Sequence, residues 1–264
     1  MTADQYLQAT VAKYAVENGP ASNGEREACA LVRLISEWAG RDLVGFQLSG
    51  SYEKGTATTL GTDVDILVPV KKPGDPKAVF LSLYQHCLEK HLPPEAHGVA
   101  IGITSNGVKV HIIPWNLDRV EQEGSSGSRA PHGQHTLYHH RQGRVLETDL
   151  GKHVNWVQES GRADEIRALK IWRERQQLEW PSFYLELTVI QALADADAPK
   201  SGPLTANIST ILHHLTTDFL RLTVTDPANE ENVVSDELSS KEKNVIARAA
   251  RKSLAMGAWE RVVW

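Results

Sequence analysis

The sequence predicts an α+β fold in two lobes, a small mixed β-sheet lobe followed by a C-terminal helical lobe. Three observations predict it. Short β-type apolar runs mix with helical patterns up to about residue 150. Helical spacing dominates from residue 151 onward. A Gly/Ser/Thr-rich stretch over residues 49–62 divides the first two strand-like runs. The expected division is 1–150 and 151–264.

The start, MTADQYLQATVAKYAVENG, places Asp4 early and reads as an amphipathic helix (Leu7, Val11, Tyr14, Ala15). It lacks a basic region ahead of an apolar one, so a signal peptide is not expected. A second helix from about Glu25 to Trp38 carries Ala28, Leu31, Val32 and Ile35 at helical spacing and closes at Gly40. Strand-like runs follow at Val44–Leu48 and Val64–Val70, then a helix over Pro76–Lys90 that ends before Pro93-Pro94. Residues 99–114, VAIGITSNGVKVHIIP, form the clearest hairpin, with apolar alternation on both sides of the turn SNG. Glu121–Gly143 is polar, rich in Ser, Gly and His, and reads as a long loop. Beyond Gly151, helices are marked by Ile166, Leu169 and Trp172, by Phe183, Leu187, Ile190 and Leu193, by Ile208, Ile211, Leu212, Leu215 and Phe219, and by Val245, Ile246, Ala249 and Leu254.

Composition narrows the function classes. With 41% hydrophobic and 23% charged residues the chain reads as globular, which excludes disorder, collagen and coiled coil as global descriptions. No apolar run approaches about 18 residues, so no membrane span is expected. Cys29 and Cys87 lie in separate apolar helical patterns without CxxC spacing, which predicts buried free thiols, a reducing cytoplasmic setting and no structural zinc. The 28 basic and 33 acidic residues leave a net charge of −5. Proteins that hold long nucleic acid usually carry a basic excess, so small polyanions such as nucleoside triphosphates are the better expected partners.

The chemistry concentrates in SGSYEKGTATTLGTDVDILVPV, residues 49–70. A period of two puts Val64, Ile66 and Val68 on one face of the strand and Asp63 and Asp65 together on the other. Two carboxylates so close repel, and a divalent cation is the usual compensation; oxygen ligands suit Mg²⁺ or Mn²⁺. Upstream, Gly50 permits close backbone approach to a phosphate and Ser51 adds a hydroxyl. A phosphate cradle beside a carboxylate pair is the logic of metal-assisted phosphoryl or nucleotidyl transfer. Either pair alone is commonplace; the spacing Gly50-Ser51-x11-Asp63-x-Asp65 is what carries weight.

That stretch resembles the signature of the polymerase-β-like nucleotidyltransferase superfamily. GSYEKGTATTLGTDVDILV is most similar to the branch holding oligoadenylate synthetases, cGAS/DncV-like nucleotidyltransferases (CD-NTases) and archaeal-type CCA-adding enzymes. Two further segments agree in order: EIRALKIWRERQQLEWPSFYLELTVIQAL (165–193) and VTDPANEENVVSDELSSKEKNVIARAA. The resemblance covers the chain from about residue 45. It implies that Gly50 and Ser51 contact a triphosphate and that Asp63 and Asp65 hold the metal ions. It further implies that Lys170 and Ser182 reach the β/γ-phosphates from the helical half. Read without the resemblance, Lys170 would be a solvated helix position.

The family places a third carboxylate on a neighbouring strand, and here V-K-V-H-I-I-P puts His111 in its place, with Lys109 and His111 on one face. A neutral imidazole removes a negative charge and prefers softer metals; a histidine also titrates near neutral pH and can act as a general base. Three outcomes stay open: catalysis at a His-modified metal site, a slow or Mn²⁺-selective enzyme, or a catalytically degenerate protein that senses or sequesters nucleotides. Asp118 is a weaker substitute acid. His132, His135, His139 and His140 are read as a solvated loop rather than a zinc site, His213-His214 as packing, and the tryptophans (Trp38, Trp156, Trp172, Trp180, Trp259) mostly as core. Glu186 is open between a cleft and a packing role. The resemblance implies a synthase of a short cyclic or linear oligonucleotide signal in bacterial defence, with a downstream effector of that product as partner. A CCA-type tRNA nucleotidyltransferase would need a larger basic surface.

Overall fold

The protein is described from a computed structural model, which covers residues 1–16, 23–61, 63–71, 75–105, 107–116 and 135–264, without the side chains of 23–25, 27 and 28. Asp118 and His132 lie outside the described residues. In chain order the elements begin with α1 (Ala3–Tyr14), α2 (Asn23–Ala39), β1 (Gln47–Ser49), α3 (Gly50–Lys54), β2 (Val64–Val70) and α4 (Pro76–Glu89). There follow β3 (Glu95–His97), β4 (Ala100–Ser105), β5 (Val108–Asn116), β6 (His135–His139), β7 (Arg144–Thr148) and α5 (Leu150–Ser160). The chain continues with α6 (Ala163–Arg175), α7 (Ser182–Asp195), α8 (Leu204–Thr217), β8 (Thr225–Asp226), β9 (Asn229–Val233) and α9 (Ser240–Leu254).

Two compact units divide the chain. A sheet unit comprises Glu17–Glu53 and Asp63–Val154; a helical unit comprises Met1–Val16, Lys54–Thr62 and Asn155–Trp264. This differs from the contiguous division at 150/151, because residues 1–16 and 54–62 pack with the helices.

The sheet unit holds five strands in the order β1-β2-β5-β4-β3. β2 and β5 are parallel, and every other neighbouring pair is antiparallel. A parallel pair needs a long crossover, here supplied by α4, β3 and β4. α4 starts where the sequence provides a stop and a cap: Pro76 occupies its first turn and the Asp75 side chain accepts from the Ala78 amide at 2.8 Å. In β2 every residue but Asp65 is buried, the pattern of a central strand covered on both faces. The period of two then sorts the side chains. Leu67, Ile113 and Trp115 share a face with Asp65 and His111, and they are covered by Leu137 of the β6–β7 hairpin. Further along the same face, Asp63, Asp65 and His111 stay partly exposed.

Several expectations are corrected here. The loop read over Glu121–Gly143 gives way from His135 to strand β6, where His135 and His139 are buried, and the His135 ring lies 4.0 Å from that of Trp115. The alternating residues of HTLYH are a strand signal hidden by their polarity. β1 is shorter than the predicted Val44–Leu48, leaving Val44 and Phe46 exposed, and the start of the expected spacer is helical. Both cysteines are free, but Cys29 is exposed and only Cys87 is buried.

The helical unit is organised around Leu7, Val11, Ile166, Leu169, Trp172, Tyr184, Leu185, Ile208, Ile211 and Ile246. Capping boxes set the starts of α1 (Thr2 with Gln5) and α9 (Ser239 with Glu242). Trp172 and Trp180 are core as expected, whereas Trp156 is half exposed; His214 is buried and His213 is not. Segment 54–62 is stitched to these helices. Arg167 Nη2 donates to the Gly55 carbonyl (2.6 Å), the Thr59 amide donates to the Tyr14 carbonyl (2.8 Å), and Gly61 leaves room for the Glu174 carboxylate.

Candidate active site

Four of the predicted residues meet on one end of the sheet. Ser49, Asp65, His111, Gly102 and Glu95 are successive cross-strand partners, a straight row over all five strands. Within it, His111 stands between the two acids: Nε2 lies 3.4 Å from Asp63 Oδ2 and Nδ1 lies 3.4 Å from Asp65 Oδ1. Burial opposes a charge on this ring, as does Lys109. The hydrogen bond to Asp65 and the charges of Asp65 and Asp63 outweigh them, so the pKa lies above the ordinary imidazole value.

Gly50 completes the group. Its φ of +63° is a left-handed conformation that L side chains avoid, and a Cβ there would sit 1.8 Å from Asp65 Oδ2. The glycine turn lies against the Asp65 carboxylate, and Ser51, next in the chain, is buried. Gly50→Ala is expected to cost about 2 kcal/mol from backbone strain and from displacing Asp65. Differential scanning calorimetry should show this as a melting midpoint lowered by roughly 4–8 °C; an unmoved midpoint would contradict the geometry.

The carboxylates fit a hard divalent cation of the kind held by one or two acids, with its other positions left to phosphate oxygens and water. Among the described residues no three His, Cys, Asp or Glu side chains form a group that could hold a metal ion.

In the helical unit Lys170 is buried. Its Nζ donates to Glu186 Oε1 (2.7 Å) and Thr56 Oγ1 (3.0 Å). Lys54 Nζ donates to Glu186 Oε2 (2.8 Å) and lies over the Phe183 ring, and Thr56 Oγ1 donates to Glu186 Oε1 (2.9 Å). Two ammonium groups thus share one carboxylate among residues at most 8% exposed. Burial alone would raise the Glu186 pKa; the charges and hydrogen bonds of Lys170 and Lys54 overcome it and hold it at about 2. For Lys170, burial and the repulsion of Lys54 and Arg173 lower the pKa against the pull of Glu186. The open question over Glu186 closes on packing with charge. Ser182 is exposed at the start of α7, and its Oγ accepts from Arg173 Nη1 at 2.9 Å.

Sequence reasoning missed Lys54, Thr56, His97 and Gly102. The first two had a signal, because Lys-Gly-Thr follows the Gly-Ser pair after only Tyr52 and Glu53. His97 and Gly102 had none, since only strand register brings them to the site.

The chain has the fold of solved nucleotidyltransferases, in the form of CD-NTase structures. It is similar to Escherichia coli MS115-1 CdnC with ATP, at 18% identity and a TM-score of 0.69 over 96% of this chain and 91% of that one. It is likewise similar to Bradyrhizobium diazoefficiens CdnG with GTP, at 14% identity and 0.69 over 96% and 91%. A third likeness is to the Elizabethkingia meningoseptica CdnE cyclic dinucleotide synthase with GTP and Apcpp, at 14% identity and 0.62 over 96% and 99%. No family model matches the chain, and no curated protein matches it by sequence.

Proposed function

We propose that the protein is a metal-dependent nucleotidyltransferase that uses nucleoside triphosphates to make a short cyclic or linear oligonucleotide signal. The observation that carries the reading is the contact of the Gly50 turn with the Asp65 carboxylate, beside Asp63, on a sheet of CD-NTase form. The solved neighbours hold ATP and GTP, and one is a cyclic dinucleotide synthase.

In the reaction, a bond forms between an acceptor hydroxyl oxygen and the α-phosphorus, the bond to the bridging oxygen breaks, and pyrophosphate leaves with the β- and γ-phosphates. Gly50 and Ser51 orient the triphosphate through backbone approach and a hydroxyl. Asp63 and Asp65 would hold Mg²⁺ or Mn²⁺, which would supply Lewis-acid polarisation of the phosphoryl oxygens. His111 could take the proton released by the hydroxyl only from its neutral form, which a cation held by Asp63 and Asp65 would favour by offsetting their pull on the ring. The resemblance would give the distal phosphates to Ser182 and Lys170; the Ser182 hydroxyl is exposed, and Lys170 would have to give up a bond to Glu186 or Thr56 to take that role. The net charge of −5 favours a small-nucleotide acceptor over a tRNA end.

A second reading, a degenerate nucleotide-binding protein, is favoured by the same His111 that fills the space between the two acids. The test is incubation of wild type and His111→Asp with each α-³²P-labelled ribonucleoside triphosphate in Mg²⁺ and in Mn²⁺. Product from wild type supports the transferase. A silent wild type that binds nucleotide, with product from His111→Asp, supports the degenerate protein. No product and no nucleotide binding in either protein overturns both.

A further inference from the structure

The row of cross-strand partners has one gap. Gly102 faces His111 on one side and Glu95 on the other, and it has no side chain to fill the space between them. His97, two residues along β3 from Glu95, leans into that space. A Cβ on Gly102 would lie 2.8 Å from His97 Cδ2 and 3.1 Å from His111 Cδ2, so both rings overhang the glycine. The ring centroids are 5.1 Å apart at 37°, and His97 Nε2 is 3.1 Å from Glu95 Oε2.

Little about His97 answers a need of the fold. It lies on a three-residue strand at the sheet edge, its side chain is 46% exposed, and Glu95 is 68% exposed. An ion pair so placed contributes little stability. Its informative contact is the one with His111, and through that ring it reaches Asp63 and Asp65. An imidazole can turn about its Cβ–Cγ bond, and in a broad torsional well only neighbours select the angle. On one side of His111 the two carboxylates attract the nitrogens; on the other the His97 ring closes off the carbon edge.

We propose that His97 is a positioning residue. Seated over Gly102 and anchored by Glu95, it fixes the His111 ring with Nδ1 toward Asp65 and Nε2 toward Asp63, and so sets how the acid pair accepts a divalent cation. The half of the proposal that concerns the cation rests on the metal-dependent reading above; the half that concerns the His111 ring does not. Partners bonded directly to a metal ligand typically change metal affinity by about 10-fold to 100-fold when lost; His97 acts through one further ring, so the lower end of that range is expected.

The experiment compares wild type, His97→Ala, His97→Phe and, as a control in the other unit, His213→Ala. Imidazole ¹⁵N resonances are recorded without metal, and Mn²⁺ alone is titrated calorimetrically. The His111 ring signals are expected to move in His97→Ala, to return largely in His97→Phe, which restores a ring over Gly102, and to stay put in His213→Ala. Mn²⁺ affinity is expected to fall about 10-fold in His97→Ala. His111 signals that coincide in wild type and His97→Ala overturn the positioning role. If wild type binds no Mn²⁺ while its His111 signals respond to His97→Ala, the ring positioning holds and the metal-dependent reading fails.

Discussion

Asp63→Asn/Asp65→Asn is expected to abolish the proposed nucleotidyl transfer while leaving the protein folded. Both side chains are partly exposed and line a sheet end whose apolar packing lies elsewhere, in Leu67, Ile113, Trp115 and Leu137. Losing the carboxylates therefore opens no cavity. The change also removes two negative charges that repel each other and two partners that favour a cationic His111, so the effects on stability oppose one another. The effect on rate has no such opposition. A metal ion at a phosphoryl centre supplies several kcal/mol of charge stabilisation, equivalent to a loss of about 10³-fold or more. Initial rates at saturating triphosphate and Mn²⁺ measure it. A double variant that keeps a tenth of wild-type rate, on the order of 1.4 kcal/mol lost, would remove the carboxylates from the reaction.

Glu186→Gln should have the largest effect on stability. The substitution keeps the shape of the side chain but leaves Lys54 and Lys170, both buried, without their shared counter-charge. Removing one partner of a buried ionic group costs about 3–5 kcal/mol, or a melting midpoint lowered by roughly 6–20 °C. Acid should reproduce part of this in wild type. Glu186 is held at about 2 in the folded protein against 4.5 for the free group. Its contribution is therefore complete above pH 4.5 and is lost as pH falls toward 2. Urea unfolding of both proteins from neutral pH downward tests this: the difference between them should shrink across that interval. A constant difference would show that Glu186 stabilises through packing alone.

The two groups of residues differ in how legible they were in the sequence. Asp63, Asp65 and His111 could be placed on one sheet face because a strand alternates with an unvarying period of two, and β2 and the β4–β5 hairpin carry that alternation openly. Pro76, Asp75 and Gly40 punctuated helices for local reasons that need no tertiary information. The remainder is decided by pairing at a distance. Nothing local reveals that Glu95 and Gly102 stand in register with His111, or that Lys54 meets a glutamate on α7. Polarity misled where it stood in for exposure: both histidines of β6 are buried, His135 against Trp115, and Cys29, in a helical pattern that reads as apolar, faces solvent.

The grafting of Lys54–Thr62 onto the helical unit has a consequence for inheritance. The chain passes between units at Val16/Glu17, Glu53/Lys54, Thr62/Asp63 and Val154/Asn155, so no single cut separates them. A gene fragment starting at Asn155 would encode Lys170 and Glu186 but neither Lys54 nor Thr56, and one ending at Val154 would encode those two without the carboxylate that satisfies them. Recombination cannot exchange one unit for a relative's by a single crossover. The Gly-Ser turn, the spacer and the Asp-x-Asp strand must pass on together with the helices that grip the spacer, which makes the length between the two motifs one of the least negotiable dimensions of the protein.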